Sequence, residues 1–240
     1  MAAKTRKKTA LASLRATVPV MFGYLAIGIA FGVLLQEAGY GFIWAAFMGV
    51  IIFAGSMQYV AVSMLAAQAG LVEVAVMTLV INARHIMYGL SMLDRFKTIG
   101  GKRAGYMIFA LTDETYALLC GTSPPQDVDE KDFYFFISVF NQIYWVLGSV
   151  IGALLGRALP VNTAGIEFAM TALFIVICVE QWQSGASHAC AGIGAFMGIL
   201  CLAVFGADNM LIPAMLGVVA TLVAFRPYLQ KSLYAQDEEE

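Results

Sequence analysis

Apolar stretches follow one another along this 240-residue chain, near 14–36, 42–68, 71–92, 104–121, 133–156, 163–183, 188–206 and 209–226. Most come close to the ~20 residues that a helix needs to cross hydrocarbon. With 60% hydrophobic and 12% charged residues, the chain departs from the mix of soluble domains. An integral membrane protein is the consequence. In lipid each segment must satisfy its own backbone polar groups, and the alternating pattern of a barrel is absent, so the fold expected is all-α. It is a polytopic transmembrane helical bundle, read as one membrane domain over 1–240 with no room for a separate soluble one.

The start, "MAAKTRKKTALASLR", looks like the basic region of a signal peptide, but the apolar run that follows, Val18 to Leu35, is too long for one. It reads as an uncleaved first helix. Cys120, Cys178, Cys190 and Cys201 lie in or beside apolar segments without paired metal spacing, which suits small packing residues rather than disulfides or ligands. The net charge of −2 says little, because charge in such a chain is sorted by loop. Basic residues gather at Lys4, Arg6, Lys7, Lys8 and Arg15 and again at Arg95, Lys97, Lys102 and Arg103. Positive-inside bias puts both groups, and the N-terminus, on the cytoplasmic side of the inner membrane; the basic start is a membrane flank and not a nucleic-acid patch. The crossings between these groups must then be even, yet 14–92 holds three apolar segments. One of them is therefore re-entrant or broken, and the segment with "GSMQ" (55–58) is the suspect. The acidic, proline-broken loop 122–132 is expected on the outer face.

An offset near 120 lays "YLAIGIAFGVLL" (24–35) on "YWVLGSVIGALL" (144–155), matching Gly28 with Gly148 and Gly32 with Gly152. With a small drift, 47–58 falls on 170–181 and "NARHIM" (82–87) on "GADNML" (206–211). Internal duplication with interrupted helices is the pattern of secondary transporters. The expectation is a first repeat over about 15–92, a linking helix over about 104–121 and a second repeat over about 133–226. Loop charge makes the second copy inverted. The glycine spacings allow close helix packing whatever the repeat means.

Ionisable groups near mid-membrane cost about 2.5–3.5 kcal/mol each on insertion scales, so each needs a partner, water or a task. Asn82, Arg84 and His85 fall halfway along 71–92, and Thr112, Asp113 and Glu114 near the middle of the helix expected over 104–121. Matching depth suggests a charge pair of Arg84 with Asp113 or Glu114. On a continuous helix Asp113 shares a face with Tyr106, Phe109 and Tyr116, and Glu114 lies over Met107, Ala110, Ala117 and Leu118. One acid then pairs with Arg84 and the other carries proton traffic; which does which stays open. The plainer alternative is a structural salt bridge that fixes helix register. His85 can satisfy itself on a neighbouring carbonyl. Asp208 matches Arg84 in the repeat and would meet it near the pseudo-two-fold axis.

Gly55 and Ser56 loosen a helix, and Gln58 offers donors and acceptors beside the backbone groups that a break sets free, so these groups line a cavity. Freed amides and carbonyls at a broken helix suit the charged ends of a small zwitterion, of which an amino acid is one. A kink sealed by Ser56 bonding to its own turn is the alternative.

The motifs "FAGSMQY", "NARHIMYG", "LTDETYALL", "VLGSVIGALLG" and "EFAMTALFIVICVEQ", in that order, resemble those of the AzlC family, the large subunits of branched-chain amino acid exporters. The resemblance runs over about 15–226. It implies a small AzlD-type membrane partner and export of leucine, isoleucine, valine or methionine. The matched polar positions are Gly55, Ser56, Gln58, Asn82, Arg84, His85, Tyr88, Thr112, Asp113 and Glu114, and Met57 departs from the small or polar residue usual in that family. The expected function is a secondary transporter of apolar amino acids, driven by protons, without cofactor or metal. Gly55, Ser56, Gln58, Asn82, Tyr88 and Thr112 would meet the substrate, and Arg84, His85, Asp113, Glu114 and Asp208 would set charge and couple protons. An intramembrane enzyme with Asp113, Glu114 and His85 as acid and base is a rival, against which stands the lack of an HExxH, G-x-S-x-G or phosphate-cradling motif. A non-transporting scaffold is another.

Overall fold

The computed structural model describes residues 2–158, 175, 179, 188–206 and 210–225. The chain divides into two compact units, residues 1–169 and 170–240. Every described element is a helix or its connection, which agrees with the all-α membrane bundle read from the sequence.

In the first unit α1 (Ala2–Glu37) and α8 (Glu130–Ala158) are the axis. Buried positions on α1 recur at Thr9, Ser13, Thr17, Tyr24, Phe31 and Leu35, four or seven residues apart, which is one or two turns along one helix face. Glycine brings that face onto α8. A Cβ at Gly32 would stand 2.0 Å from the Ser149 carbonyl oxygen, and one at Gly152 2.0 Å from that of Ile29. The backbones touch because nothing else fits between them. Below this seam Ser13 donates to the Phe133 carbonyl at 3.0 Å, and Thr17 meets the Tyr144 hydroxyl at 3.0 Å. Residue numbers rise together along the contact, so α1 and α8 are parallel. The inversion expected between the two segments with matched glycines does not hold for this pair, because both start at the same end of the bundle.

Between them the chain makes two hairpins that turn back halfway. Helix α2 (Phe42–Ile51) starts beside the end of α1 and runs inward, and α3 (Gly55–Ala66) returns. Their arms, 10 and 12 residues, are about 15 and 18 Å long, half the ~30 Å hydrocarbon thickness. The break lies at Phe53 and Ala54, where Phe53 takes a left-handed φ of 40°, a conformation that costs a bulky residue about 1–3 kcal/mol. Helix α4 (Leu71–Ser91) then crosses back to the end where α1 began, about 31 Å away. There α5 (Leu93–Ile99) leads into α6 (Gly101–Phe109), which runs inward, stops at 110–112, and returns as α7 (Asp113–Gly121).

This second hairpin corrects the single helix expected over 104–121. Thr112 has extended backbone (φ −93°, ψ 174°), and its hydroxyl accepts from the Thr115 amide, so a capped helix start falls where continuous helix was expected. Asp113 and Glu114 consequently lie in a first turn, and the faces expected for them on a continuous helix do not exist. Loop 122–132 is corrected with it. A hairpin does not change sides, so the loop ends up with the basic segment, Arg103 meeting Asp132 at 2.5 Å and Arg95 donating to the Leu119 carbonyl. Of the described helices, α1, α4 and α8 are long and apolar enough to cross a membrane.

In the second unit α9 (His188–Phe205) packs on α10 (Leu211–Ala224), with Gly217 against the Met197 sulfur. Asp208, and all but Ile175 and Val179 of the residues that the repeat would match to 47–58, lie outside the described residues.

Candidate functional site

The two hairpins enter from opposite ends, and their tips meet beside α4. Helices α3 and α7 both begin at that depth, so two N-termini, each carrying partial positive charge, converge on one region. Arg84 of α4 reaches both. Its Nη2 donates to Ser56 Oγ in the first turn of α3 at 2.8 Å and lies 3.0 Å from Asp113 Oδ2 in the first turn of α7. The charge pair expected from matching depth is thus Arg84 with Asp113. Tyr88, one turn along α4, donates to Asp113 Oδ1 at 2.7 Å and stacks on Tyr116. His85 sits edge-on to Tyr88, its Nδ1 3.2 Å from the Asn82 carbonyl, the local satisfaction available to a histidine within a helix.

Glu114 is held elsewhere. The Tyr24 hydroxyl of α1 donates to its Oε2 at 2.7 Å and is 2.5 Å from Thr112 Oγ1. The small packing neighbours expected around Glu114 give way to a phenol and a threonine, because α7 starts afresh at Thr112.

Gln58 lies beside the other tip, fully buried. Its Oε1 accepts from the Ala54 amide at 3.2 Å, one of the groups that the break sets free, and from Trp145 Nε1 at 2.9 Å. Its Nε2 has no partner among the described residues, nor have Asn82 Oδ1 and Arg84 Nε. An amide donor without a partner in such a place costs about 1–3 kcal/mol, so it is a group with something left to bind. The first turn of α3 carries no acidic side chain, and the residue before it, Ala54, offers no side-chain cap. Gly55 is a glycine because the Trp145 ring lies over it: an added Cβ would be 3.1 Å from that ring. The start of α3 therefore presents uncapped backbone amides, a free carboxamide N–H and a guanidinium within one helical turn. Such a set suits a carboxylate.

The polar residues Gly55, Ser56, Gln58, Asn82, Arg84, His85, Tyr88, Thr112, Asp113 and Glu114 are all carried by the hairpin tips or the facing stretch of α4. Phe53 and Met57 are buried beside the α3 tip, and Phe53 makes an edge contact with Tyr24 at 6.5 Å. The family model described as AzlC protein matches residues 19–159, the span that holds this whole arrangement.

The chain belongs to the AzlC family. It is 38% identical over 216 residues, 90% of this chain and 85% of the relative, to the branched-chain amino acid transport protein AzlC of Bacillus subtilis. It is 44% identical over 214 residues, 89% of this chain and 93% of the relative, to an uncharacterized membrane protein of Helicobacter pylori. To the inner membrane protein YgaZ of Escherichia coli it is 28% identical over 191 residues, 76% of this chain and 78% of the relative. No solved structure matches it.

In this AzlC-family chain the site also depends on residues that the sequence reading did not single out. Asn141 Nδ2 donates to Thr115 Oγ1 at 3.0 Å, which ties α8 to the second hairpin. Gln142 Nε2 donates to the Val50 carbonyl at 3.1 Å, at the exposed end of α2, and its Oε1 accepts from Tyr106 at 2.6 Å. Two adjacent amides on α8 thus hold both hairpins at one depth. The signal was present, since "FNQIYW" places two amides inside an apolar helix. Tyr24 gave less warning, because a tyrosine in a membrane helix is ordinary until its partner is known.

Proposed function

We propose that this chain is the large subunit of a secondary exporter of branched-chain and related apolar amino acids, leucine, isoleucine, valine and methionine, acting across the cytoplasmic membrane. Its N-terminus is cytoplasmic, a small AzlD-type membrane subunit works with it, and inward proton flow drives it. The observation that carries the reading is the start of α3: uncapped amides, the unpartnered Gln58 Nε2 and Arg84 gather at a first turn that carries no acidic side chain of its own. The substrate carboxylate goes there. Its ammonium faces Asp113 and the free Asn82 oxygen, and its side chain lies toward Phe53, Met57 and Tyr88. Each methylene in such a lining contributes about 1–3 kcal/mol of discrimination, so the four side chains overlap as substrates. The name of the Bacillus subtilis relative supports the substrate class.

Efflux of labelled leucine from vesicles holding this chain, with and without the small subunit and at two imposed pH gradients, tests the reading. It predicts flux that needs both chains and steepens with the inward proton gradient. Leucine retention indistinguishable from empty vesicles under all four conditions would refute it.

A further inference from the structure

Asp113 and Glu114 are neighbours in sequence with different surroundings. Asp113 has a guanidinium at 3.0 Å and a phenol at 2.7 Å. Glu114 has no cation within ion-pairing distance among the described residues; its partner is the Tyr24 hydroxyl. From Tyr24 a row of hydroxyls continues: Tyr24 to Thr112 Oγ1 at 2.5 Å, Thr112 Oγ1 to Thr115 Oγ1 at 2.9 Å, and Asn141 Nδ2 onto Thr115 Oγ1 at 3.0 Å. Thr112, Thr115 and Asn141 are buried.

Each hydroxyl in the row has one hydrogen to give, whereas an ionised carboxylate only accepts. With Glu114 ionised, Tyr24 must donate to Oε2, and the Tyr24 oxygen is left to accept from Thr112. With Glu114 protonated, its hydrogen turns to the Tyr24 oxygen, Tyr24 donates to Thr112, and Thr112 to Thr115. The Glu114–Tyr24–Thr112 stretch of the row therefore has two directions, selected by one proton, and only in the second does Thr112 donate on to Thr115. Asp113 has no such alternative, since neutralising it strands Arg84.

Tyr24 also joins the two tips. Its ring makes edge contacts with Trp145 at 5.6 Å and Phe53 at 6.5 Å, at the break before α3, while its hydroxyl holds the start of α7. Among the described residues the charged or titratable groups that act on Glu114 are Tyr24 from α1, Arg84 from α4 and Asp113 beside it; α8 adds the neutral Asn141, through Thr115.

We propose that Glu114 carries the coupled proton, that Tyr24 and Thr112 form a reversible hydroxyl row reporting its protonation to the tip of α7, and that Asp113 remains the counter-ion of Arg84. This rests on the transport reading given above. At uptake one O–H bond forms between a proton from water and the Glu114 carboxylate, and at release the same bond breaks. Tyr24 and Thr112 only change the direction in which they donate, and Tyr24 is a positioning residue.

Vesicles holding this chain and the small subunit separate the roles. Glu114→Gln keeps leucine–leucine exchange, which loses its pH dependence, and loses leucine movement driven by a proton gradient. Asp113→Asn loses both. Tyr24→Phe keeps the ring contacts and displaces the midpoint of the pH profile of leucine–leucine exchange. Gradient-driven movement that survives Glu114→Gln, or a midpoint unmoved by Tyr24→Phe, overturns the assignment while leaving transport intact. Infrared difference spectra of the purified chain, titrated with pH, give a readout independent of flux. A carboxylic-acid band that disappears in Glu114→Gln, shifts in Tyr24→Phe and persists in Asp113→Asn is expected. A band that survives Glu114→Gln, or is lost in Asp113→Asn, overturns the proposal even if leucine flux is absent from wild-type vesicles.

Discussion

Removing Asp113 damages the fold more than removing Arg84, and removing both costs less than the two losses added together. The pair is 3.0 Å apart with side chains 25% and 31% exposed, so it is neither solvated nor dry. At an effective dielectric near 20, unit charges ~4 Å apart attract by about 4 kcal/mol; partial exposure brings the worth of this contact to roughly 2–3 kcal/mol. The two single variants differ in what is left behind. In Arg84→Ala, Asp113 keeps the Tyr88 hydroxyl and sits in the first turn of its own helix, where a negative charge is favoured. In Asp113→Asn, the Arg84 cation keeps Ser56 alone and faces the starts of α3 and α7, each unfavourable to it by about 0.3–1 kcal/mol. We expect about 3 kcal/mol for Asp113→Asn, about 2 for Arg84→Ala, and about 2 for the double variant, a coupling near 3 kcal/mol. Reversible unfolding in mixed micelles measures all three, and efflux is lost in each at equal membrane levels. Additive costs, or an Asp113→Asn milder than Arg84→Ala, would show that a stranded Arg84 cation does not set these costs.

Gly32→Ala puts a Cβ about 1.4 Å inside ordinary contact distance of the Ser149 carbonyl, and both atoms belong to backbone-bound positions that cannot turn away. We expect at least about 1–3 kcal/mol of destabilisation in the same assay, against little change for Gly23→Ala, where the added Cβ meets nothing within 4 Å. Arg103→Ala removes the pair with Asp132 at the exposed end of the bundle; with the arginine side chain 46% exposed it costs under about 1 kcal/mol and leaves efflux unchanged.

The membrane setting, the helical class and the depth of the polar residues were legible in the sequence, because hydrocarbon thickness and the cost of buried charge act on composition alone. Arg84 with Asp113 was readable to within one residue, since equal distance from the segment ends gives depth. The break at 110–112 was not legible. Ala110, Leu111 and Thr112 contain neither glycine nor proline, and the apolar run is continuous until Thr112, whose role as a helix cap shows only once its hydroxyl is seen to accept the Thr115 amide. Missing that break also misplaced loop 122–132, because one helix too many was counted as a crossing. The matched glycines had two readings: symmetry and contact. They proved to face each other, Gly28 against Gly148 and Gly32 against Gly152, in parallel helices. Gln58 was recognised as polar where nothing polar was needed, but its partner Trp145 lies 87 residues away and no local pattern points to it.

An amino acid carboxylate is proposed to occupy the start of α3, and Trp145 reports on that place directly, with its ring over Gly55 and its Nε1 on Gln58. A variant with Trp44→Phe and Trp182→Phe leaves Trp145 as the single indole. Its emission should shift saturably with leucine, isoleucine, valine and methionine, and stay unmoved by leucinamide, which has the side chain without the carboxylate. An emission that leucine leaves unchanged, or that leucinamide shifts as far as leucine does, would contradict the account.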